Sequence, residues 1–524
     1  LAALLSAALA GFAVLTVEIL GVHLLAPWFG TSALVWSQQI GVVLAAMALG
    51  GWAGGRWARR SADPGRRAAC LLGAGGALVS LAALLLAPFA RWMLPEALSL
   101  DDAAASFVQG SLSAALLFFA PPVFLLAAVS PLLVEVRARA RGAGQAAGEI
   151  GAAGTFGSLL GVFGSAFVAL PLLGVRATLL ATAVALLLAA ALLLRGRAAG
   201  AGAVLALISS AAAFSGDPAR AANLPPGAEI LATQESPYQR LRVVEFPATG
   251  ERWLQMNEGL DSFQSWWGGE TVWSGLYYDL FALAPLYAGL PGPQSGPPRP
   301  QRFWVLGFGA GSALPPVAEA LRGRPFEAVG VELDPAVAAL GERWLPLPEG
   351  LRASLRVIAG ADARSLLRAA PEGLDFILLD AYARQFEIPP HLATAEFFVE
   401  AAAKLRPGGV LAANIGTRAR PEDDDGLLAR LVASARAGFG DHLRLHRVPR
   451  SRNWILFARR DEVLADPAAL AAGLPAGWPQ ELGAALLPGQ TVNDSEIPSA
   501  RAFTDDRNAL TLLQARSWMV KEGE

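Results

Sequence analysis

Charge, cysteine and histidine are all scarce in this 524-residue chain. Only 16% of its residues are charged, 54% are hydrophobic, and the mean hydropathy is +0.42. That is too apolar for an ordinary soluble chain. A net charge of −2 gives no basic surface of the kind that nucleic acid requires. The single cysteine, Cys70, excludes an intramolecular disulfide and leaves the redox compartment open. No group of Cys, His and acidic residues has metal-ligand spacing, so no metal is expected. The one glycine-rich turn after a strand lacks a following Lys-Ser/Thr, which excludes a Walker-type phosphate loop.

Long apolar runs dominate the first 215 residues instead. A helix needs about 20 mostly apolar residues to cross the hydrocarbon core. Spans are expected near 3–27, 34–56, 68–90, 106–134, 146–170 and 174–194, with a shorter seventh at 200–215. The opening run lacks a basic leader and a small-residue cleavage site, so it reads as a first span rather than a signal peptide. Glycines at helical spacing in "GSLLGVFG" and "GGWAGG" suit close helix packing. Arginines concentrate in "RWARRSADPGRR" and "VRARARG", which the positive-inside rule puts in the cytoplasm. Glu18 and His23 lie within the first span. Intramembrane ionisable groups are candidates for function, and an interhelical hydrogen bond is the simpler reading for His23.

From about residue 225 the pattern changes. "QRLRVVEF" and "ERWLQMNEG" are β-rich runs joined by the turn "PATG", consistent with a small antiparallel unit. After the Pro/Gly-rich "GLPGPQSGPPRPQ", strands alternate with helices: "RFWVLGFG", "AVGVELD", "LRVIAGA", "LDFILLDAY" and "GGVLAAN". This rhythm predicts a doubly wound, mostly parallel, Rossmann-like sheet, whose ligands bind outside the carboxyl ends of the strands. The residues suited to chemistry fall there. Gly307, Gly309 and Gly311 follow the first strand and allow close backbone approach. Glu332 ends the second strand, where a carboxylate can accept both ribose hydroxyls. Asp362 follows the third, where it can also cap the next helix. Asp380 ends the fourth.

These motifs resemble, in order, those of the membrane-fused spermidine synthase-like proteins, of the polyamine aminopropyltransferase family. "ESPYQRLRVVE", "LQMNEGLDS", "GLYYDLFALAP", "VLGFGAGS", "VGVELDP", "GADAR", "LDFILLDAY" and the late "FTDDRNAL" carry the resemblance. It implies a class I methyltransferase-like fold and transfer of the aminopropyl group of decarboxylated S-adenosylmethionine to a polyamine. By the resemblance, Asp380 is the base or amine orienter, with Tyr277 beside it. Gly307, Gly309, Gly311, Gln239, Glu332, Asp362 and Asp380 then hold the cofactor, Glu332 at the ribose and Asp362 at the adenine. Tyr238, Asp261, Tyr278 and Asp279 shape the substrate site. Two departures stand out. Soluble members carry acids where this chain has Ala310 and Ala383.

The expected organisation is a polytopic all-α membrane domain (1–215), a small β-rich unit (225–290), a Rossmann-like adenosyl-cofactor domain (300–460) and a C-terminal extension (461–524). The cofactor is made in the cytoplasm, so the synthase-like domain is expected on the cytoplasmic face of the inner membrane. Related soluble enzymes imply a homodimer. Two other functions fit the same residues: an S-adenosylmethionine-dependent methyltransferase with a membrane-associated or hydrophobic acceptor, and a non-catalytic polyamine-binding or transport protein. The aromatics Trp266, Trp267 and Trp273 are read first as packing and second as a lid. His391 reads as structural.

Overall fold

The computed structural model describes residues 1–29, 33–93, 109–194, 197–213, 224–256, 263–290, 299–321, 323–382, 387–417, 426–510 and 513–514. The chain forms two compact units. The first is built on Leu1–Pro225 and takes in Thr233–Arg240; the second is built on Leu241–Met256 and Ser262–Glu524.

The first unit is helical. By length and composition, five of its helices can cross a membrane: Ala2–Ala26, Pro64–Met93, Gln109–Arg141, Ala143–Ala169 and Val175–Leu193. The expected span at 34–56 does form a helix, Ala33–Arg60. The seventh expected span is the 17-residue helix Arg197–Ala213. At 1.5 Å per residue it measures about 25 Å, less than the ~30 Å core. It is tied to the helix Pro64–Met93 by a 2.7 Å hydrogen bond between Ser209 and Ser80. The glycine patterns act as expected. A Cβ at Gly157 would lie 1.9 Å from the Ala8 carbonyl oxygen, and one at Gly50 would lie 2.2 Å from that of Phe124. Backbones therefore touch where only glycine permits it. Arg137 pairs with Glu149 across the tight turn between the third and fourth of these five helices.

The second unit contains strands in two sheets. The first sheet has the order β1 (Glu229–Glu235), β2 (Arg240–Phe246), β3 (Glu251–Met256), β4 (Phe263–Trp267), with β2, β3 and β4 antiparallel. The second begins with β5 (Gln301–Leu306), β6 (Phe326–Glu332), β7 (Leu355–Ala359), β8 (Leu374–Leu379) and β9 (Leu405–Gly416). These five are parallel neighbours in the order β9-β8-β5-β6-β7. β8 reads "LDFILL" and is buried along its whole length, as a central parallel strand must be. Chain order reverses direction between β5 and β8, which opens a crevice at their carboxyl ends.

An antiparallel edge completes the sheet: β11 (Asn453–Arg459) pairs with β9, β10 (Leu443–Arg447) with β11, and β12 (Thr491–Asn493) with β10. The sheet is therefore mixed, and the expected class I methyltransferase-like α/β architecture is the one observed.

At the opposite end of β8 from the crevice, Asp375 is fully buried. It accepts from Arg299 Nη1 and Nη2 at 3.0 and 2.5 Å, from Arg406 Nε at 2.6 Å and from the Arg302 N–H at 2.9 Å. Burial pushes its pKa up, but the Arg299 and Arg406 contacts outweigh this and hold it below the ordinary value. A depressed carboxylate stabilises the fold above its unfolded pKa of about 3.9 and loses that contribution as pH falls through its folded value. Asp375→Asn is therefore expected to cost about 3 kcal/mol at pH 7. The difference from the parent protein should shrink below pH ~4, as read from unfolding midpoints of both proteins across pH.

Candidate active site

The crevice is built on the loop after β5. Gly307 has φ +81°, and a Cβ there would come within 2.4 Å of Ala381 Cα, so the loop can run against the end of β8 only with glycine. The Asp380 N–H donates to the Leu306 carbonyl at 2.8 Å, which ties the two strand ends together. From the other side β4 clamps the loop. The Ala310 N–H donates to Ser265 Oγ at 2.7 Å, the Trp266 N–H donates to Ser312 Oγ at 2.9 Å, and Ser312 Oγ donates back to the Trp266 carbonyl at 2.9 Å.

Glu332 ends β6 beside this loop. Its Oε2 accepts the Gly309 N–H at 2.9 Å, and its Oε1 accepts that of Asp334 at 3.0 Å. A carboxylate has about four lone-pair sites, so acceptor capacity remains for hydroxyl donors. Burial raises its pKa. Asp362 caps the helix Ala363–Ala369 through the Ser365 N–H at 2.9 Å, and its other oxygen meets His391 Nε2 at 2.8 Å. Burial acts to raise its pKa, but these partners bring it below the ordinary value. The same helix carries Arg364, whose guanidinium grips Glu400 and Asp505. The late "FTDD" segment is thereby anchored beside the third strand's exit.

Asp380 stands at the end of β8. Tyr277 donates its hydroxyl to Oδ2 at 3.1 Å, and Asn414 donates Nδ2 to Oδ1 at 2.8 Å. Burial is the largest influence and lifts the carboxyl from its ordinary value to about 7, although both hydrogen bonds oppose it. Burial and the nearby Asp380 charge also raise the Tyr277 hydroxyl well above its usual range, so it stays a neutral donor. Tyr278 lies against it, with ring centroids 4.1 Å apart, and is fully buried. The site thus presents one carboxylate able to exchange a proton near neutral pH, with other carboxylates at the adjoining strand ends.

The network behind Asp380 was not anticipated from sequence. Asn414 Oδ1 accepts from Asn453 Nδ2 at 2.8 Å, and Ser451 Oγ donates to Asn453 Oδ1 at 2.7 Å. Tyr382 donates to the Asn414 carbonyl at 3.0 Å and accepts the Gly416 N–H at 2.7 Å. A nearly buried asparagine within the apolar run "GVLAANIG" was the available signal, since such polar groups need partners.

Other expected residues take different places. Asp279 is buried and accepts from the Ser274 N–H and Oγ and from the Gly275 N–H at 2.8–2.9 Å, so both its oxygens already serve its own turn. Tyr238 and Gln239 lie in the turn after β1, closed by Ser236; Tyr238 is exposed and Gln239 buried. Asp261 and Ala383 lie outside the described residues. Trp267 donates to the Pro346 carbonyl at 2.9 Å, and Trp273 packs on Trp478 with centroids 5.1 Å apart. These two aromatics pack within the second unit, whereas the expected packing was against the membrane half or a subunit interface. Ala310 sits in an apolar cluster with Val337 and Leu340, and a Cβ at Gly341 would lie 2.7 Å from its own.

No family model matches the chain. A polyamine aminopropyltransferase from Vibrio vulnificus (strain CMCP6) is 34% identical over 138 residues, 26% of this chain and 44% of that protein. A probable polyamine aminopropyl transferase from Bifidobacterium longum (strain NCC 2705) is 26% identical over 190 residues, 36% of this chain and 38% of that protein. The chain thus spans less than half the length of these curated relatives. A solved probable spermidine synthase from Corynebacterium glutamicum ATCC 13032 aligns at 22% identity with a TM-score of 0.43, over 53% of this chain and 97% of that one. Over the matched residues the chain is similar to these aminopropyltransferases.

A carboxyl whose pKa is raised on folding favours the native state most when protonated, and that contribution is lost as pH rises through the folded value. For Asp380 the window runs from its unfolded pKa of about 3.9 to about 7. Asp380→Asn should therefore stabilise the protein relative to the parent, by an amount that grows across this window and levels off above it. Thermal unfolding at a series of pH values reads this directly.

Proposed function

We propose that the chain is a membrane-anchored aminopropyltransferase that uses decarboxylated S-adenosylmethionine as donor and an amine as acceptor. The observation that carries this reading is Asp380, a carboxyl with a pKa of about 7 held by Tyr277 and Asn414 at the end of β8. The sulfonium donor is already activated, so the protein's task is to orient the amine and take its proton. The amine lone pair attacks the methylene carbon beside the sulfonium. The carbon–sulfur bond breaks with its electron pair going to sulfur, and methylthioadenosine leaves. The new ammonium group then gives a proton to the Asp380 carboxylate, which passes it to water.

The remaining residues suit the donor. Glu332 has acceptor capacity for the two ribose hydroxyls, and Asp362, half-exposed beside His391, can accept from the adenine amino group. Tyr277 holds the carboxylate and Tyr278 backs it. The five apolar helices support anchoring in a membrane, and the clustered arginines favour a cytoplasmic catalytic domain.

Incubation of the purified chain with decarboxylated or intact S-adenosylmethionine, plus putrescine, spermidine or a membrane extract, tests the reading. Methylthioadenosine formed from the decarboxylated donor is the expected product. S-adenosylhomocysteine in its place would establish methyl transfer, and binding without either product would leave a non-catalytic protein. Asp380→Asn should lower turnover by about 10²–10⁴-fold. In the parent enzyme kcat/KM should rise with pH through a midpoint near 7.

A further inference from the structure

The turn between β10 and β11 carries a second concentration of chemistry, away from the donor-binding strand ends. A cavity of about 530 Å³ is lined there by Arg447, Arg450, Arg452, Ser451, Gln490 and Leu487, among others. Three guanidinium groups within six residues are costly to gather unless something offsets their repulsion. Arg450 has φ +57°, a backbone state that non-glycine residues seldom adopt, and Glu481 holds its guanidinium at 2.5 Å. Arg447, at the exposed end of β10, has no acidic partner among the described residues. Its backbone N–H is fixed to the Gln490 carbonyl at 2.8 Å, so the two sides of the cavity are tied together.

We propose that this cavity binds a phosphate monoester. The planar guanidinium fork matches a phosphate in a bidentate manner, and the Gln490 amide adds a donor. The volume exceeds what a bare phosphate needs and falls within the ordinary range for small-ligand sites. Pro449, Ala484 and Leu487 supply apolar wall for the organic part. A polyamine is excluded by charge of the same sign. Ser451 also ends the Asn453–Asn414–Asp380 hydrogen-bond chain, so the cavity opens on the outermost support of that carboxylate.

The phosphate group has two sources, a soluble ester or a lipid headgroup, and calorimetry on the detergent-solubilised full chain separates them. The probes are inorganic phosphate, glycerol 3-phosphate and dihexanoyl phosphatidic acid, with dihexanoyl phosphatidylcholine as the control. Saturable binding of glycerol 3-phosphate supports a soluble ester; binding of the phosphatidic acid alone supports a headgroup. Either should weaken about tenfold in Arg447→Gln, the loss of one bidentate contact, and should weaken as salt rises. Arg352→Gln, which alters an exposed arginine paired with Glu342, should leave affinity unchanged. Absence of saturable binding by all three phosphates at millimolar concentration overturns the proposal. So does equal affinity in the parent, Arg447→Gln and Arg450→Gln. Since the readout is binding without turnover, a failure here leaves the aminopropyl reading untouched, and the converse also holds.

Discussion

Keeping the Asp380 carboxyl in place at the end of a buried strand is the constraint around which the second unit is organised. Moving a carboxylate out of water is costly, and neutralisation is the usual escape. Here the escape is incomplete. Burial lifts the pKa only to about 7, because Tyr277 and Asn414 each donate to one oxygen. Those two donors must themselves be held. Asn414 is fixed by Asn453 and, through its backbone, by Tyr382; Asn453 is fixed by Ser451. The antiparallel edge of the sheet is therefore more than an appendage, because β11 supplies the residue that aims the donor on β9.

The glycine loop shows the same dependence from the opposite side. Gly307 lets the loop lie against Ala381, and Gly309 offers its N–H to Glu332. Neither contact would hold its geometry if the loop were free to move. Three polar atoms of β4, Ser265 Oγ and the Trp266 N–H and carbonyl, fasten it at Ala310 and Ser312. The small antiparallel sheet thus has a physical task in the second unit. It clamps the loop while the strand ends of the larger sheet set the carboxylates. A site whose charged groups are preorganised in this way needs little rearrangement during reaction, which is the main source of electrostatic catalysis.

Much of this was legible in the sequence, for identifiable reasons. The five parallel strands are continuous apolar runs ending in Gly, Glu or Asp, and both periodicity and position survive in the structure. The hairpin β10–β11 was not read, because "LRLHR" and "NWILFAR" are short and flanked by arginine-rich turns. Asn414 and Asn453 were missed with it, since their meaning lies in a pairing between strands 39 residues apart. Asp279 shows what a motif match leaves out. The resemblance puts it at the substrate, and its hydrogen-bond partners here are the N–H groups four and five residues upstream. In the helical unit, the long apolar runs of the sequence correspond to long helices. The expected run at 34–56, for example, forms the 28-residue helix Ala33–Arg60.

The departure at position 310 takes on a different meaning once its neighbours are known. Read from sequence, alanine in place of an acid points to a changed transferred group, because that acid would meet the donor's cationic end. In the structure the Ala310 methyl group faces the helix Pro335–Trp344, among Val337, Leu340 and Leu345. Gly341 opposite it has no room for a side chain, since a Cβ there would lie 2.7 Å from that of Ala310. The two small residues form a matched contact that lets the loop and helix close on each other. A carboxylate at 310 would enter this apolar contact without a partner, a burial that costs several kcal/mol or forces the loop to shift. Alanine here is thus a packing solution that needs no change of bound ligand to account for it.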